Sequence, residues 1–274
     1  MIQSECHLTG SFNMEKENFQ KFVSKKETLY FALMLIISLL FYIILFIGLI
    51  GIIYIMAIGL FLFITQGLAI GHIRQNSVKI TENHFGDIYA KIKQYSEILS
   101  LETIPDVYLM QSGGVLNAFA TRFLFQDVIV IYSDILELAY EQGENAVNFI
   151  IAHELAHIKR KHLSKMKYIA CAMIIPFLNS AYSRACETTC DRIAMELTKE
   201  LPIDGLLVLV AGTKLYKKVD TKLFVTNAEA EKGFWGWFAE ICSSHPNLAT
   251  RIKNLANIDV PKITDNIKHS STLY

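Results

Sequence analysis

A chain of 274 residues has room for one large domain or two modest ones, and its 26 cationic and 26 anionic side chains cancel, leaving no global charge to recruit nucleic acid. The apolar fraction of 52% is above that of an ordinary soluble domain. Five cysteines in no regular pattern exclude a disulfide scaffold and suit a reducing compartment.

Residues 1–27 are polar, with Lys16, Lys21, Lys25 and Lys26 set among Glu5, Glu15, Glu17 and Glu27. Phe12, Phe19, Phe22 and Val23 recur at near-helical spacing, which predicts either a short amphipathic helix on a membrane surface or a frayed tail. A secretory signal peptide does not fit, because the apolar region starts late and runs too long. From Thr28 to Ile73 there is no Asp, Glu, Lys or Arg. One bilayer-crossing helix needs about 20 apolar residues, so segment 28–73 predicts two, broken near Gly48–Gly51 into spans of 29–48 and 52–72. Lysines precede the first span, and Arg74 and Lys79 follow the second. Both flanks are therefore expected on the cytoplasmic side of the cell membrane, with everything in 74–274.

Apolar residues at 3-to-4 spacing (Ile80, Ile88, Ile92, Tyr95, Leu99) predict a helix over 76–101, ended by Pro105. Asp106–Met110, Val115–Thr121 and Asp127–Tyr132 read as strands, with a turn at Gly113-Gly114, and a small antiparallel sheet is the economical arrangement. Ser133-Asp134 is placed to cap a helix running to about Tyr140, and another begins at Glu144. That second helix carries Phe149-Ile-Ile-Ala-His153-Glu154-Leu-Ala-His157. Histidines four apart lie on one helical face and can grip one metal ion, zinc being the ion that imidazole suits. Glu154 is then placed to take a proton from a metal-held water.

Beyond His162 the apolar run Tyr168–Leu178, interrupted by Pro176, is short for a span and reads as a buried or interfacial helix, or a third membrane contact. A zinc site of this kind needs one more ligand, and the helix predicted over Ser183–Lys199 offers Glu187, with Asp191 one turn on to accept a hydrogen bond from a ligand imidazole. The plainer reading of Glu187 and Asp191 is a solvated face paired with Arg184 or Arg192. Cys186 and Cys190 are a rival donor pair, and they would close the site and leave Glu154 without a purpose. Phe234-Trp235-Gly-Trp237-Phe238 is read as a packed C-terminal core, with a membrane-interface or cleft-wall role as the alternative.

Several motifs occur in one order: Pro105-Asp-Val-Tyr, Asn117-Ala-Phe-Ala, His153-Glu-Leu-Ala-His157, Glu187-x-x-x-Asp191, then His245-Pro246 with Arg251-Ile252. In this order the chain resembles the M48 family of membrane-associated zinc metallopeptidases, which includes the heat-shock protease HtpX and the CAAX-processing Ste24 enzymes. The resemblance runs from about residue 80 to 256. It implies an α+β, mainly helical, zincin-like (gluzincin) domain behind a transmembrane helical hairpin, with one Zn2+ per chain. It further implies His153, His157 and Glu187 as ligands, Glu154 as general base, and Asp191 as a partner of a ligand histidine or a proton donor. Asn117, Ala118, Phe119 and Ala120 resemble the strand along which a polypeptide substrate lies. His245 and Arg251 match a C-terminal motif that stabilises an oxyanion, packs against the zinc helices or serves at the surface.

Two features depart from the family. Further spans between the zinc helices are missing, and so is the many-span chamber of the Ste24 enzymes, so prenylated-peptide processing is not supported. The expected activity is that of a membrane-anchored zinc endopeptidase, with membrane protein quality control as a setting. The alternative is a zinc-stabilised membrane sensor or scaffold that cleaves nothing. An intramembrane protease is disfavoured, because Lys159, Arg160 and Lys161 follow the motif directly.

Overall fold

The computed structural model describes residues 19–111, 118–142, 145–199, 203–231 and 233–256. Two long apolar helices come first, α1 (Lys25–Ile47) and α2 (Leu49–Asn76), broken at Gly48 as the glycines predict. A Cβ at Gly51 would run into the Leu45 carbonyl oxygen, so the tight reversal needs glycine there. Each helix is long and apolar enough to cross a bilayer, and the side chains from Ile53 to Leu68 are largely exposed. Such a pair suggests membrane association.

A sheet and a helical body follow: β1 (Val78–Lys79), α3 (Gly86–Ile98), β2 (Asp106–Met110), β3 (Ala118–Phe123), β4 (Gln126–Tyr132), α4 (Ser133–Gln142), α5 (Asn145–Lys159), α6 (His162–Ile169), α7 (Leu178–Thr198), α8 (Ile203–Ala211), α9 (Thr221–Ala230), α10 (Phe234–Cys242) and α11 (Leu248–Ala256). The strand order is β1-β2-β4-β3. β3 and β4 form an antiparallel hairpin, but β4 runs parallel to β2, so the sheet is mixed and not wholly antiparallel. Its chemistry explains the placement. Val128–Ile131 is apolar without alternation and buried on both sides, which suits a central strand. Ile129 and Ile131 join the main core, whereas Val128 and Val130 meet Ile70 and Ile73 from the end of α2.

α5 is the central helix. Ile151, Ala152, Leu155 and Ala156 are buried where it packs against α7, α8, α4, α3 and β3.

Four further expectations change. The helix predicted over 76–101 starts only at Gly86, because Val78–Lys79 pairs with β2 and a tight Thr81–His84 bridge follows. Tyr168–Leu178 is not one helix: α6 ends at Ile169, a 3-10 turn spans Ala170–Ile174, and Pro176 precedes α7. Of the segment 1–27, residues 1–18 lie outside the described residues, and 19–27 is packed against the body, with Phe19 buried in the main core and Glu27 buried within α1. The aromatic cluster of α10 is exposed and not core. The turn at Gly113-Gly114 lies outside the described residues.

Removing a buried phenylalanine ring costs about 3 kcal/mol or more. Phe19→Ala is therefore expected to lower the thermal unfolding midpoint of the detergent-solubilised chain by several degrees, whereas a frayed tail would leave it unchanged.

Candidate active site

α5 and α7 pack face to face, and their shared apolar surface is interrupted at one level by His153, His157, Glu187 and Asp191. His153 Nε2 and His157 Nε2 lie 3.2 Å apart. Glu187 reaches both rings, its two oxygens standing 3.3 Å from His153 Nε2 and 3.3 Å from His157 Nε2. Two imidazole nitrogens and a carboxylate so disposed are a donor set that can hold one metal ion. Donor atoms around a tetrahedral zinc, with bonds of about 2.0 Å, stand about 3.3 Å from one another. The spacing here matches, so the residues present fit the ion.

Around this triplet Asp191 and Glu187 each have further partners. The Asp191 carboxylate accepts hydrogen bonds from Arg251 Nε at 2.8 Å and Nη2 at 2.6 Å, in a two-pronged buried pair. Its Oδ1 also lies 2.9 Å from His153 Nδ1. That approach is off the line of the ring N–H, so it acts chiefly through charge. His245, on the loop before α11, puts Nδ1 3.1 Å from Glu187 Oε2 while its own ring stays largely exposed.

Burial opposes ionisation of Glu187, but contact with His153, His157 and His245 outweighs it and holds the carboxyl well below its usual range. For Asp191, burial is likewise overcome by Arg251 and His153, and its carboxyl is lowered too. Burial acts to lower the His153 pKa, yet Asp191 and Glu187 together raise it to about 10.

A cavity of about 680 Å³ opens onto these groups and is lined by His153, Glu154, His157, Glu187, His245 and Arg251. Ala118, Phe119 and Ala120 also line it from β3, at the edge of the sheet, while Asn117 falls outside the described residues. Asp191 lies behind His153 and does not line the cavity. Arg251 turns its guanidinium to Asp191. The rival thiols group with His162 and not with the His153–Glu187 pair, as Glu27–His162–Cys186 and His157–His162–Cys190; burial pushes Cys186 up to about 12 and Cys190 well above the ordinary thiol value.

Against this geometry, the comparison with known families is decisive. The model of peptidase family M48 matches residues 82–177 and again 164–259, well over half of the chain. The chain belongs to peptidase family M48. No curated protein and no solved structure matches it. By family this M48 chain is a metal-dependent peptidase, acting on polypeptides.

Sequence reasoning missed a second group beside the site. His162 Nδ1 lies 3.0 Å from His157 Nδ1, and His162 Nε2 lies 3.2 Å from Glu27 Oε1. Arg160 donates to that same oxygen from Nη2 at 2.8 Å and Nε at 3.2 Å. A third histidine five residues past the motif was the available signal. Glu27 gave none, being 135 residues from His162.

Removing one member of a buried charge pair costs about 3 kcal/mol, because the other is left uncompensated. Arg251→Met is thus expected to lower the stability of the chelator-treated chain by about that much. Asp191→Asn combined with Arg251→Met should recover part of the loss in a thermal double-mutant cycle.

Proposed function

We propose that this M48 chain is a membrane-anchored zinc endopeptidase, held by α1 and α2, with the body from residue 74 onward on the cytoplasmic side. One observation carries the reading: two imidazoles and a distant carboxylate converge on one point at the wall of a cavity that also holds Glu154. His153, His157 and Glu187 are assigned as the metal ligands. When bound, zinc supplies Lewis acidity toward a carbonyl group and a water molecule.

The chain's own residues do the rest. Glu154, one residue past the first ligand, takes the proton of the attacking water and passes it to the leaving amine. Asp191 with Arg251 fixes the His153 ring, and His245 steadies Glu187. The substrate lies along β3, adding main chain to main chain at Ala118–Ala120, and Asn117 is assigned to the same stretch. The roomy cavity disfavours the non-proteolytic sensor or scaffold, since a purely structural zinc site is closed by four protein ligands. Clearing damaged membrane proteins is a role that fits an anchored endopeptidase.

Glu154→Gln is expected to retain one zinc per chain and to cleave casein at least about a hundredfold more slowly than the parent. A variant that keeps parental cleavage would remove Glu154 from the mechanism. Glu187→Ala is expected to lose both the metal and the activity, as read by metal analysis beside the casein assay.

A further inference from the structure

We propose that Glu27 and His162 are positioning residues for His157, so that the helix leading into the membrane supplies part of the metal site's support. The inference rests on the zinc-ligand reading above. A histidine that gives Nε2 to a metal carries its proton on Nδ1, and that N–H needs an acceptor to fix the ring. His153 has the Asp191 carboxylate 2.9 Å from Nδ1, a charge contact backed by Arg251. His157 finds His162 Nδ1 at 3.0 Å, and His162 in turn donates from Nε2 to Glu27 Oε1 at 3.2 Å, backed by Arg160.

Donors and acceptors thus alternate in one sense along the chain of bonds. Both ligand rings end on a carboxylate paired with arginine. Lys161, held at φ 54°, turns the backbone between α5 and α6 so that His162 folds back onto His157. A left-handed non-glycine residue persists where its surroundings demand it. Glu27 and His162 are both buried, and the relay spans 135 residues of sequence.

The test is zinc affinity of the purified full chain in detergent, by competition with a chromophoric chelator, with the unfolding midpoint of each metal-free variant recorded. His162→Leu removes the acceptor and should weaken zinc binding about tenfold or more. His162→Gln, whose carbonyl can accept from His157 and whose amide can donate to Glu27, should restore most of that affinity. Equal affinity for wild type and His162→Leu would overturn the proposal. If His162→Leu does not fold, Glu27→Gln decides: several-fold weaker zinc supports the relay, and unchanged affinity overturns it. A wild-type chain that holds no zinc would instead overturn the ligand assignment itself, and this inference with it.

A separate observation carries a second inference: we infer that the exposed aromatic face of α10 and the turn before α7 dip into the bilayer beside α1. It rests on α1 and α2 being membrane spans. Tyr42 donates its hydroxyl proton to the Lys167 carbonyl at 2.9 Å, and the Ala172 N–H donates to Ser38 Oγ at 3.0 Å. Both partners lie well inside α1, so segment 167–172 is pinned beside the apolar length of that helix. Its neighbours expose Tyr168, Ile174 and Phe177, and Phe177 packs edge-on against Phe238 of α10. Phe234, Trp235 and Trp237 continue the patch, with Trp235 77% exposed. Tryptophan and its aromatic neighbours favour the membrane–water interface.

Trp235 and Trp237 are the chain's only tryptophans, so intrinsic fluorescence reports on this face alone. In proteoliposomes, spin-labelled phospholipid should quench the emission strongly and aqueous iodide only weakly. Strong iodide quenching with no effect of the labelled lipid would overturn the inference. Shielding that appears only at high protein density, or only on adding casein, would also overturn it, in favour of a second copy or a substrate. Loss of the protein from the vesicles in alkaline carbonate would show that the spans themselves are misassigned.

Discussion

The structure depends on the meeting of α5 and α7, which brings ionisable groups together inside an apolar body. Unpaired, a buried carboxylate would cost several kcal/mol, and Glu187 and Asp191 are both buried. They are accommodated because polar partners surround them: the His153, His157 and His245 rings around Glu187, and the Arg251 guanidinium on Asp191. The close packing of the two helices lets the carboxylate of one reach the rings of the other. Packing therefore sets the chemistry, and the chemistry is tolerated only because the packing supplies its polar partners.

The same logic ties the apolar hairpin to the body. α1 carries Glu27 at its start and buries Met34 and Ser38 against the turn before α7, while α2 closes one face of the sheet through Ile70 and Ile73. Each helix is at once a candidate membrane span and a wall of the folded unit. This explains why β4 lacks the alternation expected of a strand with one solvated face: its second face is covered by α2. The edge strand β3 is left on the cavity side, beside the face of α5 that carries His153 and His157.

Local signals made much of this legible in the sequence. The two apolar helices, the strand at Asp106–Met110, the helix carrying the paired histidines and the later helix carrying Glu187 all stand close to where spacing puts them. What was not legible is what depends on distant pairing. No periodicity says that β4 inserts beside β2 to run parallel with it, or that Phe19 returns to the core from a polar segment. Helical spacing at Ile80 continued a pattern that Val78–Lys79 interrupts by joining a sheet. The convergence of Glu187 with His153 was readable because a known chemistry demanded a third ligand. The link from Glu27 through His162 was not, since a lone acid ahead of an apolar run resembles any membrane-flanking charge.

Zinc-edge X-ray absorption of the purified chain tests the central claim most directly, because it reads the atoms around the metal and not the consequence of binding it. The account predicts a shell of nitrogen and oxygen alone at about 2.0–2.1 Å, with imidazole scattering from two rings. Sulfur scattering at about 2.3 Å would place the metal on Cys186 or Cys190 and contradict it.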